Sequence, residues 1–222
     1  GIDLRALQTG HKYRGIGEVT KQVANRVIVI ATAQTKDTDF IFYEYDDDDP
    51  KVLLTIPQDL QYRVIKQGVM PEGLLPRSKE TKVKDAYDAL YGSPVKGSSQ
   101  SDVFLQFDYA FGVPTDSKTL LIKHDLIPLV FKRHYFESAW VPFKNYAART
   151  TMRTTFANHK YNRVLRRSLR RAKKIATVSD STKHDIMHFF GVNPKKIITT
   201  HLGVSVEPAK TGGSIKPSIM PT

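Results

Sequence analysis

Apolar residues occur along this chain in two kinds of run. Short runs rich in β-branched and aromatic residues read as strands: Ile2–Leu7, Asp39–Tyr45, Lys51–Ile56, Val103–Phe107, Thr119–Lys123, Ile175–Val178 and Ile197–Thr200. Several lack polar alternation, as expected of strands covered on both faces. Between them lie runs with apolar residues three and four apart. Val19, Val23 and Val27 predict a helix opening near Gly15, although the β-branched run Val27–Ile30 also suits a strand. Val83, Ala86, Tyr87 and Leu90 predict a helix over Lys79–Tyr91. The clearest helix is Tyr161–Lys174, where Tyr161, Val164, Leu165, Ser168, Leu169 and Ala172 form one stripe. Ser179–Phe190 reads as a helix with Ser and Asp caps at its start and Gly191 at its end, and Asn193-Pro194 makes a turn. Strands alternating with helices predict an α/β fold with a parallel sheet and crossover helices.

Charge adds an asymmetry to this plan. The 222 residues carry a formal charge of +12, and 25% of them are charged. Between Lys132 and Lys174 thirteen Lys or Arg face a single acid, Glu137, which accounts for the whole excess. The basicity is therefore local, with Arg163, Arg166, Arg167, Arg170, Arg171, Lys173 and Lys174 opposite the apolar stripe of one predicted helix. Such a patch implies an anionic partner: nucleic acid, phospholipid headgroups or a phosphorylated substrate. Asp46 to Asp49 form an acidic run without the spacers and glycine of a calcium loop, and a solvated loop is expected there.

Composition excludes more than it selects. The absence of cysteine removes disulfide scaffolds, thiolate zinc sites and cysteine nucleophiles. No run approaches the length of a membrane span, and no signal peptide is expected from the first residues. From Glu207 onward Pro, Gly and Ser dominate without a core face, so one domain is expected over residues 1–205 and a linker over 206–222.

In an open parallel sheet ligands bind beyond the carboxyl ends of the strands, which makes the residues leaving each strand the candidates. Gly15-Ile16-Gly17 opens a predicted helix, where amides can approach an anion, but it lacks the third glycine of a dinucleotide fingerprint and a structural turn remains the alternative. His124, directly after a predicted strand and before Asp125, could transfer a proton, orient a sugar hydroxyl or bind an anion, or simply bond a loop carbonyl. Asp108, Tyr109 and Ser179 occupy other strand exits. His184 and His188 stand four apart with no third ligand nearby, and no metal is expected. Neither a nucleophile elbow nor a phosphate loop of the GxxxxGK[ST] type is present.

Four stretches together resemble the N-terminal half of the retaining GT-B glycosyltransferases of family 4, the group 1 enzymes. They are Gly1-Ile2-Asp3-Leu4-Arg5-Ala6-Leu7 with Arg14-Gly15-Ile16-Gly17; Lys123-His124-Asp125-Leu126-Ile127-Pro128-Leu129; Arg171 through Thr182; and Gly191 through Ile197, ending at His201-Leu202-Gly203-Val204. The resemblance implies a Rossmann-like domain that mainly binds the acceptor and faces a second domain across a cleft. It implies that Gly15 and Gly17 line the donor diphosphate and that His124 sits at the reacting sugar. Asp108, Tyr109 and Ser179 become acceptor-side candidates. The implied substrates are a nucleotide-sugar and a saccharide or lipid-linked acceptor, with no cofactor and no metal. The second domain, with its glutamate motif and basic diphosphate clamp, is absent, so the chain is expected to be inactive alone.

The basic helix, through Arg163, Arg166, Arg167, Arg170, Arg171 and Lys174, then becomes a candidate for adhesion to an anionic membrane at its cytoplasmic face. Two other readings compete. One is a nucleic-acid-binding module using the same cations with Tyr146, Phe156 and Tyr161, disfavoured by the lack of any recognised nucleic-acid motif. The other is an interaction domain that kept the fold and lost the chemistry.

Overall fold

In a computed structural model of the protein, the residues described are 1–34, 37–46, 48–69, 95–107, 113–114, 117–130 and 162–203. Seven strands pair entirely in parallel: β1 (Ile2–Asp3), β2 (Phe40–Glu44), β3 (Tyr62–Lys66), β4 (Val103–Gln106), β5 (Lys118–Lys123), β6 (Lys174–Thr177) and β7 (Ile197–Thr199). Their order is β3-β2-β1-β4-β5-β6-β7, so the chain builds outward from β1, returns beside it and builds the other way. This is the parallel α/β architecture that the alternation of runs predicts, in the Rossmann-like form that the family resemblance implies. The reversal falls between β1 and β4, where such sheets open a crevice beyond their carboxyl ends.

Why the strand runs are so apolar is visible in β2, where all five residues are buried. Phe40 and Phe42 face one side with Ile2, Leu105, Ile122 and Ala176, while Ile41 and Tyr43 face the other with Val95 and Phe104. The first layer is covered by α1 (Gly15–Gln34), which contributes Val19, Ala24 and Ile28, with Val23, Val27 and Ala31 alongside. The Val27–Ile30 run is therefore helical throughout, because the spacing that began at Val19 continues through it. Beyond Phe104 the opposite face is filled by Leu121 and Ile175, covered by Leu165, Leu169 and Ala172 and by Ile186.

The short helix α2 (Ile127–Val130) follows β5, α3 spans residues 162–171, and α4 is Asp180–Phe190. Helix α4 is bounded as its sequence predicts. The Ser179 hydroxyl accepts from the Thr182 amide (3.2 Å), and Gly191 closes it at φ 62°, a left-handed conformation that glycine adopts freely.

Four expectations change. The first strand ends at Asp3 and Arg5–Leu7 forms a 3-10 turn, because the Asp3 carboxylate captures both the amide and the guanidinium of Arg5. Gln8 then bridges to the Tyr45 amide and carbonyl and to the Asp48 carbonyl, which holds this turn against the loop after β2.

The predicted strand at Lys51–Ile56 is instead a 3-10 turn, Pro50–Leu53, capped by Asp49. The turn delivers Lys51 to Glu44 (2.9 Å), a carboxylate only 1% exposed that Lys66 also binds (2.7 Å). Burial opposes the Lys51 ammonium, but Asp49 and Glu44 outweigh it and hold its pKa above the ordinary lysine range. A strand not predicted is Tyr62–Lys66 at the sheet edge, where Tyr62, Val64 and Ile65 are interrupted by Arg63 and bounded by Lys66 and stay largely exposed.

Third, the basic helix ends at Arg171. The Lys173 amide joins the Thr119 carbonyl, and Lys174 opens β6 rather than closing the helix. Last, a helical turn that the spacing does not announce follows His124, with Asp125 Oδ1 accepting from the Ile127 amide. The predicted helix over Lys79–Tyr91, Tyr161 and the predicted linker lie outside the described residues.

Candidate functional site

Because all strands are parallel, every strand exit lies at one edge of the sheet. At the exit of β1 stand Asp3 and Arg5, 2% and 5% exposed, in a two-point ion pair with Arg5 Nε to Asp3 Oδ1 at 2.9 Å and Nη2 to Oδ2 at 2.7 Å. Two 3-10 turns then lead to α1, whose first residue is Gly15. A crossover helix must run from the carboxyl edge of one strand to the amino edge of the next, so the N-terminus of α1 lies at the same edge. Its first amides, unpaired within the helix, and its dipole favour an anion there. Gly15 is exposed and a Cβ added to it would meet nothing within 4 Å, whereas Gly17 is buried.

Two strands from β1, at the exit of β5, stands His124, partly buried. Its carbonyl accepts a hydrogen bond from Thr182 Oγ1 (3.0 Å), and Thr182 Oγ1 also contacts Ser179 Oγ (3.1 Å). The first turn of α4 and the His124 loop are thus tied together. Ser179, an acceptor-side candidate by position, spends its hydroxyl on the helix cap. Asp180, next to it, accepts from Thr199 Oγ1 at 2.6 Å. That bond, with His201, Lys183 and His184 adding to it, holds the Asp180 carboxyl below the usual carboxylate range. Asp108 and Tyr109 lie outside the described residues.

The fold also gathers residues at this edge that strand-exit logic does not single out. His201 follows β7 by two positions and is exposed near Asp180. Gln106, Lys123 and Thr177 end β4, β5 and β6 and are 0%, 7% and 0% exposed. Lys123 is level with Thr177, and the pleat puts both on the face opposite α1. Their only sequence signal is a polar residue in the last position of an apolar run. Among the described residues no group of three or more His, Asp or Glu is gathered as for a metal ion.

The cations are arranged differently. Arg163, Arg166, Arg167, Arg170 and Arg171 are all exposed on α3, while Leu165, Ser168 and Leu169 are buried beneath them. The Lys196 ammonium caps the end of this helix by donating to the carbonyls of Leu169 (2.9 Å) and Arg170 (2.7 Å). Lys174 donates to the Lys195 carbonyl (3.0 Å). Burial, with repulsion from Lys173, pulls Lys196 below the ordinary lysine range. Because α3 leads into β6, its C-terminal end, with Arg170 and Arg171, lies at the amino edge of the sheet, away from His124 and Gly15.

A comparison with curated proteins found no match. A family model, Glycosyltransferase Family 4, matches residues 115–208. That span contains His124, the basic helix, Ser179 and the whole β5–β7 side of the sheet, while Gly15 and Gly17 lie outside it. With its parallel Rossmann-like sheet, the chain therefore contains a domain like those of the family 4, group 1 glycosyltransferases.

Proposed function

We propose that this domain is the acceptor-side half of a retaining, nucleotide-sugar-dependent glycosyltransferase. The observation that carries the reading is the placement of the α1 N-terminus and His124 at one sheet edge, on strands that flank β4. Gly15 and Gly17 present backbone amides to the donor diphosphate, and His124 contacts the sugar being transferred. Transfer breaks the bond from the sugar to the diphosphate, and the acceptor oxygen bonds to the sugar on the same face. The departing diphosphate takes the acceptor proton. The amides stabilise the negative charge on that group, and cations of a second domain complete the clamp. Asp108, Tyr109 and Ser179 are the residues assigned to binding the acceptor. No cofactor beyond the donor is called for, and this chain alone does not turn over.

The test is a titration with UDP, GDP and ADP followed by the backbone amide resonances of the protein. One of the three is expected to move Gly15, Gly17 and His124 together. Gly15→Ala meets open space and preserves the fold, yet is expected to weaken that response several-fold because its methyl group stands where the diphosphate approaches the backbone. Shifts confined to the arginines of α3 would overturn the reading.

The exposed arginine row on α3 supports a second element: reversible adhesion to an anionic membrane at its cytoplasmic face. No described helix is long and apolar enough to cross a membrane, and the apolar stripe of α3 is already buried on the sheet. Adhesion is then electrostatic, with each cation near the surface worth about 1 kcal/mol. Vesicles containing phosphatidylglycerol are expected to sediment the protein, and the charge reversals Arg166→Glu and Arg167→Glu to weaken this by at least ten-fold. Equal binding to phosphatidylcholine vesicles would remove the electrostatic argument. Tight binding to RNA or DNA that vesicles do not displace would favour the nucleic-acid reading instead.

A further inference from the structure

The hydroxyl of Thr182 has an unusual assignment for a residue in the first turn of a helix. The Thr182 amide is already capped by Ser179 Oγ (3.2 Å), and its side chain, 5% exposed, reaches across to the carbonyl of His124, 58 residues earlier in the chain (3.0 Å). Threonine is a poorer helix former than alanine, and its β-branch restricts χ1 to few rotamers. A stiff, buried hydroxyl that spans two elements fixes distance better than a long, exposed side chain would. Ser179 supports this, since its oxygen lies 3.1 Å from Thr182 Oγ1 and makes the two hydroxyls one short network. Through that network the start of α4, itself anchored to β7 by Asp180 and Thr199, sets where β5 releases His124.

We infer that Thr182 is a positioning residue that holds His124 in place for contact with the sugar, an inference that rests on the proposed glycosyltransferase reading. Three variants of this chain separate its role from plain helix capping. Thr182→Val keeps the shape and removes the hydroxyl; it is expected to move the His124 amide and imidazole resonances while those of His188, near the far end of α4, stay in place. Thr182→Ser restores them. Gly191→Ala strains the left-handed cap at the far end of α4, lowers the melting temperature and leaves His124 close to its original resonances. In the diphosphate titration Thr182→Val reduces the response at His124 several-fold and spares that at Gly15. If Thr182→Val leaves the ligand-free His124 resonances unmoved, or Thr182→Ser fails to restore them, positioning by Thr182 is wrong whatever the titration shows. If the variant does move them but no diphosphate moves His124 in the unmodified protein, the glycosyltransferase reading fails instead.

Discussion

Replacing Asp3 with alanine is expected to lower the unfolding free energy by about 3–5 kcal/mol, measured by urea denaturation. The reason is the surroundings of Arg5. Its guanidinium is 5% exposed and depends on Asp3 for two charge-assisted bonds, while the Tyr45 ring lies 5.8 Å from Arg5 Cζ. Burial works against the Arg5 charge, and Asp3, with Tyr45, outweighs it and keeps the group above its ordinary pKa. Without Asp3 the charge stays, because arginine does not deprotonate under these conditions, and it becomes a poorly compensated ion in the interior. Asp3→Asn should cost somewhat less, since its amide oxygen still accepts one bond. Pairing Asp3→Ala with Arg5→Met should recover much of the loss, because two apolar residues leave no stranded charge. A loss below about 1 kcal/mol for the single variant would mean that Arg5 finds other compensation at the exit of β1.

Leu169→Ala is expected to cost about 2–5 kcal/mol. Leu169 is fully buried in the cluster formed by Leu121, Leu126, Leu165, Ile175, Ile186 and Ile197, where helix and sheet enclose it. Deleting its branched end opens a cavity that neighbours on a rigid sheet cannot collapse into. Arg167→Gln, two positions earlier on the exposed face, should change stability by no more than about 0.5 kcal/mol. The contrast has a functional meaning. If the apolar stripe of α3 were a membrane-inserting face, Leu169→Ala would weaken vesicle binding and leave folding alone. The packing here calls for the reverse: lost stability in solution and unchanged dependence of vesicle binding on charge.

How much of this was legible beforehand follows the physical range of each signal. Phe40–Tyr43, Leu120–Ile122 and Ile175–Thr177 announce strands because a sheet covered on both faces needs apolar residues in succession. Ser179 and Gly191 announce the ends of α4 because capping is local chemistry. The Lys51–Ile56 and Tyr62–Lys66 segments mislead for the converse reason. The first is apolar but is turned by an Asp-Pro cap and a lysine drawn to Glu44; the second pairs as an edge strand with little apolar burial to mark it. Arg5 shows the same limit, since nothing local distinguishes a buried arginine from a solvated one until its carboxylate is in place.

The candidate site divides along this line. Alternating runs, the glycines at the head of α1 and a histidine at a strand exit are local features, so the chain's order alone specified a parallel α/β plan and named Gly15 and His124 as candidates. That these two share an edge follows from parallel pairing, which the alternation already predicts, whereas the bond from Thr182 to the His124 loop and the level placement of Lys123 and Thr177 depend on strand order. Strand order is set by pairings between segments tens of residues apart, which no local pattern encodes. The charge of the basic helix was equally plain from composition. Its direction, running away from the His124 edge toward the cap at Lys196, follows from its place just before β6, and its exposed face is set by the burial of Leu165 and Leu169 against Leu121 and Ile175 on the sheet.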